Sequence, residues 1–335
     1  MISETDFIHI PYTPDLTEAG ITFALRSLPY TYDEIVFSPI NKLQRVVGRV
    51  AVELAFRRFL GEQRIKFDVK GASPFTNPIQ FDLLLGGHHC DIITSLITHR
   101  SQINDLHHNI ALLLNAHALI AADQFASDAR SDQDLYIFAF VTGLITNSQK
   151  DIEKITSDQQ PTCLVYMMPK AWARPVSWNG LGLLALKSET DQSLTVELGG
   201  QTANRDFLAK SINLPLGMRV QVDPDFFSLI YITTAIPPKG RIGLRSPAHN
   251  QTCLIPPKKW GNIWVYGMEI ILVGYLTREE FRRRAKIVPA GSRVFQYNQT
   301  RFKNLSVPIE NLRPIGNLLE RVKEWEARKI KFGKI

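Results

Sequence analysis

Residues 81–98 read FDLLLGGHHCDIITSLIT, and how this stretch folds back on itself decides the reading of the first half of the chain. Two apolar runs, one carrying Asp82 and the other Asp91, flank Gly86-Gly87. Glycine reaches the positive φ values that a two-residue hairpin turn requires, so a tight antiparallel hairpin is expected here. Residues facing each other across such a hairpin lie close together, which gives the two carboxylates a way to meet.

Working outward, IKFDVKG at 65–71 reads as a further strand, set off by a Pro/Asn/Ser-rich stretch at 73–78. Before it, Leu43, Val46, Val47, Val50, Leu54 and Phe59 recur at helical spacing, which predicts a long amphipathic helix ending near Gly61. After the hairpin, Ile103, Leu106, Ile110, Leu113 and Leu114 predict a second helical stretch within residues 100–124. DLYIFAFVTGLI at 134–145 then reads as a buried strand. The expected order is helix, strands, helix, strand.

That order, with an aspartate on one hairpin strand and a second acid on the next, resembles the core of the PD-(D/E)XK nucleases over roughly residues 44–145. The resemblance implies an α/β/α core of restriction-endonuclease type. It casts Asp82 and Asp91 as ligands of Mg²⁺ or Mn²⁺, with Glu53 on the preceding helix as an additional acid. A divalent ion held this way polarises a phosphodiester and lowers the pKa of a bound water. The family's lysine, two residues after the second acid, is replaced by Ile93, which carries neither charge nor donor. Lys70, which also completes a D-x-K with Asp68, is the nearest substitute, and His88, His89, His99 and Arg100 flank the same hairpin as candidate bases. Two functions follow from the resemblance: a DNA-directed nuclease of restriction or defence type, or a nuclease-fold protein that binds nucleic acid or serves in assembly without cutting.

Beyond a polar stretch near 147–161 the composition changes. Residues 162–276 are rich in Gly, Pro, Thr and aromatics, with short apolar runs such as CLVYMM, LTVELGG, SLIYITT and NIWVYGMEIILVGYL. They predict a largely β domain. Trp264 and Tyr266 alternate with their neighbours and would stack on a base if exposed, although core packing is the simpler reading.

The last segment is basic. The chain carries a formal charge of +7, yet residues 1–150 hold 12 Lys/Arg against 16 Asp/Glu while residues 278–335 hold 15 against 6. The excess therefore belongs to the end of the chain. TREEFRRRAKIV opens with Thr277 and Glu280 in a capping-box spacing and then presents Arg282, Arg283, Arg284 and Lys286, with Arg278 one turn earlier. These five are the candidate phosphate contacts, since clustered Lys and Arg bind a nucleic-acid backbone by counterion release. An acidic protein partner would suit the same segment, and so would ordinary helix stabilisation by acids at the start and bases at the end. A second basic helix is expected from about residue 315 to 331. The fold class is thus α+β, in three parts: 1–155 nuclease-like, 156–276 β-rich, and 277–335 basic and helical.

Other chemistries lack local support. Cys90, Cys163 and Cys253 are widely spaced and odd in number, against a disulfide framework. Six of the eight histidines fall between His88 and His117, but their spacing fits no zinc pattern. No G-x-S-x-G, H-E-x-x-H or phosphate-cradling glycine loop occurs. No run approaches the length of a membrane span, and the chain is expected to be cytoplasmic, with a homodimer or protein partner left open.

Overall fold

The computed structural model describes residues 1–35, 39–69, 83–127, 131–146 and 148–332. Helix and strand contribute nearly equally, and with several sheets the protein is of mixed α+β class. The chain divides into two compact units: Met1–Thr17 with Gly48–Leu144 and Tyr266–Ile335, and Glu18–Val47 with Ile145–Val265.

The first unit is built on a six-stranded sheet. Its strands lie in the order Ile8–Ile10, Tyr266–Thr277, Leu135–Leu144, His88–Ile97, Leu83–Leu85, Phe67–Asp68. The hairpin forms as the glycines require: Leu85 lies opposite His88, and Gly86 and Gly87 take φ of 58° and 94°. The turn is closed from outside by Trp325 of the helix Ile315–Phe332, whose ring lies 4.5 Å from that of His88. A Cβ at Gly86 would sit 2.6 Å from Trp325 Cε3, so this glycine is required for both its φ and its missing side chain. Strand His88–Ile97 then runs parallel to Leu135–Leu144, the one parallel pair in this sheet among the described residues. A parallel neighbour needs a crossover, which opens with the helix Arg100–His108.

Leu135–Leu144 is buried at every position but its last, as a central strand covered on both faces must be. One face of the sheet packs into a core that includes Tyr136, Phe138 and Phe140 with Ile103, Leu106, Val307 and Phe281. Phe281 is fully buried, with the rings of Phe125, Tyr136 and Phe138 each 5.8 Å from its own.

Three expectations are corrected here. The helical pattern at 100–124 breaks after His108. A 3-10 turn Ile110–Asn115 and a strand His117–Ala121 come next, the strand pairing with Asn304–Pro308. Asn109 ends the helix by turning its side chain to accept from the Ala111 amide. The apolar run at 266–277, expected in the β-rich part, instead pairs with Leu135–Leu144 and with Ile8–Ile10 in the first unit. The basic end is not a separate segment either: its strand Asn304–Pro308 and the buried Phe281, Val307, Ile309 and Leu312 complete the core of the first unit. The helix Arg278–Arg284 does form, with the Thr277/Glu280 capping box in place.

The second unit holds a five-stranded sheet, Phe207–Leu214, Leu194–Gln201, Ser228–Thr234, Leu164–Met167, Gly261–Asn262, and a four-stranded one, Arg219–Val222, Leu184–Ser188, Ile242–Arg245, Cys253–Ile255. All their pairings are antiparallel, and both sheets contribute to one core around Leu164, Leu184, Val196, Leu198, Ile232 and Leu244. Trp260 and Trp264 are buried.

Candidate functional site

The strand His88–Ile97 presents alternate residues to the two faces of the sheet, and its ladder with Leu135–Leu144 is regular from Cys90 to Ile97. Asp91 is level with Tyr136 and Ile93 with Phe138, so these four share a face. Asp91 is 6% exposed, low for a carboxylate. Ile93, at the position where the resemblance would place lysine, packs against the apolar cluster of that face.

One end of this strip is set by His89 and Asp134. Asp134 is 4% exposed: its Oδ1 accepts from the His89 backbone N–H at 3.1 Å, its Oδ2 from Ser131 N–H at 2.8 Å, and the His89 ring Nδ1 lies 3.5 Å from Oδ2. On the side of Tyr136, Arg278 donates to the phenol oxygen at 3.1 Å and to the Phe125 carbonyl at 2.9 Å, with its guanidinium 4.4 Å above the Phe125 ring. Asp91, His89, Asp134, Tyr136 and Arg278 thus make a polar strip at one end of an otherwise aromatic face.

Asp134 and Tyr136 were not singled out in the sequence. An aspartate opening a strand reads as a turn residue. The signal that could have found them is register: aligning the two apolar strands in parallel puts Asp134 and Tyr136 beside His89 and Asp91.

Asp82 and Lys70 lie outside the described residues. Glu53 sits on the helix Pro39–Glu62, where it is salt-bridged to Arg57 one turn on. That helix packs on the other face of the sheet: a Cβ at Gly48 would meet Leu96 Cδ1 at 3.7 Å, and the pleat turns Leu96 away from Asp91. Expectation had Glu53 joining Asp91 from one side; the alternation of the strand opposes it. His99 and Arg100 lie past the far end of the strand, about 25 Å of extended chain from Asp91. His88 is engaged by Trp325. Among the described residues no group of three His, Cys, Asp or Glu side chains is placed to hold a metal ion.

Of the five basic candidates, Arg278 is corrected to an interior role, being 9% exposed and tied to Tyr136 and Phe125. Arg282 is exposed but clamped by both oxygens of Asp132 at 2.9 and 3.0 Å. Arg284 donates to the Asn311 carbonyl, and Arg283 lies 4.0 Å from Glu279. Lys286, on the short strand Lys286–Val288, is exposed.

Among the described residues no cysteine is in a disulfide, and Cys163 and Cys253 lack the marks of a nucleophile. Burial and the nearby Glu197 push the Cys163 thiol up to about 12, and burial also raises Cys253.

No protein-family model matches the chain, and neither a curated protein nor a solved structure is significantly similar to it. Among the described residues no helix is long and apolar enough to cross a membrane.

Proposed function

We propose that the protein is a nuclease-like protein acting on DNA, with Asp91 and Asp82 holding a Mg²⁺ or Mn²⁺ ion at the hairpin of the first unit. The observation that carries the reading is the arrangement around Asp91. A helix, three antiparallel strands, a crossover that begins with a helix and also carries the strand His117–Ala121, and a strand parallel to the third follow one another along the chain. The second acid of the hairpin is nearly buried at the start of the parallel pair. A divalent ion there would act as Lewis acid on the scissile phosphate and supply hydroxide near neutral pH. The chain's own residues would do three things. Asp91 and Asp82 would bind the ion, Asp134 would fix His89 at the mouth of the strip, and Arg282 to Lys286 would draw the phosphate backbone by charge.

A second reading, a nuclease-fold protein that binds DNA without cutting, is favoured by two specific observations: Ile93 is packed into apolar surroundings where an amine would act, and the helix bearing Glu53 packs on the opposite face. Incubation of the full chain with labelled duplex DNA, in Mg²⁺, in Mn²⁺ and with chelator, separates the two. Metal-dependent cleavage that disappears in Asp91→Asn supports the first reading. Salt-sensitive binding without cleavage in any metal supports the second, and absence of binding at low salt contradicts both.

A further inference from the structure

Two surface cations of the second unit have acids beside them: Arg241 donates to both oxygens of Glu189 at 2.8 and 3.3 Å, and Lys239 lies 3.7 Å from Asp191. Three others, on the four-stranded sheet, do not. In that sheet Leu184, Leu186, Ile242 and Leu244 point into the core, so strand alternation turns Lys187 and Arg245 outward. Val220 and Val222 pack against the same core, which turns Arg219 outward as well. Lys187, Arg219 and Arg245 are exposed, and none of their side chains makes an ion pair or hydrogen bond among the described residues.

The three stand close together. Arg219 is directly opposite Lys187, and Arg245 is opposite Ala185, the next residue on that face after Lys187. With strands about 4.8 Å apart and same-face residues about 7 Å apart along a strand, their Cα atoms fall within about 12 Å. Ala185 and Gly243 form a shallow floor among them. The nearest acids along these strands are Asp223, past the end of Arg219–Val222, and Glu189, already engaged by Arg241. Charges on an edge strand guard a sheet against pairing with another chain, which accounts for Arg219 alone. Lys187 and Arg245 lie on the two inner strands. Nor does the cluster stabilise the sheet, because like charges directly opposite repel. A polyanion laid over the face would remove that repulsion.

We propose that the outer face of this sheet binds the phosphate backbone of DNA, with Lys187, Arg219 and Arg245 each neutralising a phosphate. Duplex DNA carries one negative charge per about 1.7 Å of its axis, so cations this close together all find phosphates. The floor of Ala185 and Gly243 lets the backbone approach, and it offers no large apolar or aromatic anchor of the kind that carries a protein interface. The choice of DNA over another polyanion rests on the reading of the protein as DNA-directed. The cluster itself lies wholly within the second unit and needs no metal ion.

The test is the salt dependence of binding of the full chain to labelled duplex DNA, between about 50 and 200 mM salt. Each phosphate contact adds about 0.9 to the slope of log affinity against log salt. Combined replacement Lys187→Gln, Arg219→Gln and Arg245→Gln should therefore lower the slope by about 2.7, so that over this range the parent chain loses about fortyfold more affinity than the variant. The single variants should each lower it by about 0.9, and they decide the matter if the triple variant does not fold. Lys150→Gln with Lys170→Gln and Lys210→Gln makes the same change in net charge at exposed positions elsewhere in the unit, and should leave most of the slope. Lys187→Arg with Arg219→Lys and Arg245→Lys should bind like the parent. The proposal is overturned if the glutamine variants keep the parent's slope, if the charge-matched control lowers it equally, or if the parent chain does not bind DNA at low salt. Loss of binding to polyglutamate but not to DNA would also overturn it, giving the face to an acidic protein. DNA binding through this face without cleavage in any metal upholds it and counts only against the cutting reaction.

Discussion

Asp134 does more for the hairpin than its place at a strand end suggests, because its two oxygens satisfy the amides of His89 and Ser131. Replacing it by alanine leaves two shielded donors without acceptors, each worth about 1–3 kcal/mol. Urea denaturation of Asp134→Ala should show a clear fall in midpoint, whereas Asp134→Asn, which keeps one acceptor, should lose less. His117 titrates in the opposite sense from a histidine with an acidic partner. It is half-buried beside Ser306, 2.7 Å from Nδ1, and burial holds its pKa below the ordinary 6.5. Between that folded value and 6.5 the unfolded chain binds the proton and the folded chain does not. Its contribution is therefore complete above pH 6.5 and is lost as pH falls below it. His249 is shifted in the same direction by the same cause. Stability measured from about pH 7.5 down to about 5 should decline, and His117→Gln should flatten part of the slope. An unchanged slope would assign the decline elsewhere. At this scale the sequence was informative where the chemistry is local: the Gly-Gly turn, the Thr277/Glu280 cap and the missing lysine at Ile93 could all be read directly. It was misleading for Arg278, since a run of arginines looks uniform until one of them is found against Phe125 and Tyr136.

Individual elements were legible in proportion to how much of their burial pattern is their own. The helix over 39–62 and the strands at 88–97, 135–144, 194–201 and 228–234 carry long apolar patterns and form where those patterns lie. Short edge strands such as Arg219–Val222 and Cys253–Ile255 bury few side chains, so they left little pattern to read. The helix Pro14–Ile35 contains Pro29, a residue that ordinarily ends a helix and that hid this one. Two substitutions test how elements hold the hairpin. Gly86→Ala must place a Cβ against Trp325 at positive φ, and should cost at least about 1–2 kcal/mol. Trp325→Ala, made together with it, removes the clash and should recover part of that loss, leaving only the φ penalty. Additive losses in the double variant would show that the ring does not rest on the turn.

Across the whole chain, pairings between distant segments decide the division into units, and these are what composition could not reveal. Strand Tyr266–Thr277 closes a sheet with residues more than a hundred positions earlier, and Asn304–Pro308 does the same for His117–Ala121. The basic charge of the last segment suggested an appendage, yet its apolar residues are interior to the first unit. Removal of residues 278–335 should therefore unfold that unit rather than trim a tail, seen as loss of the cooperative denaturation transition and of soluble expression. Phe281→Ala probes the same dependence gently, with an expected cost of about 3–5 kcal/mol for emptying a fully buried aromatic site. A truncated chain that keeps its transition would restore the three-part division.

Titration of the full chain with Mn²⁺, monitored by the paramagnetic signal of the free ion, bears most directly on the hairpin as a metal site. One Mn²⁺ should bind per chain, binding should vanish in Asp91→Asn, and it should persist in Glu53→Gln, whose helix lies on the other face of the sheet. A folded chain that binds no Mn²⁺, or one whose Asp91→Asn variant binds it unchanged, would contradict the assignment of Asp91 to a divalent ion.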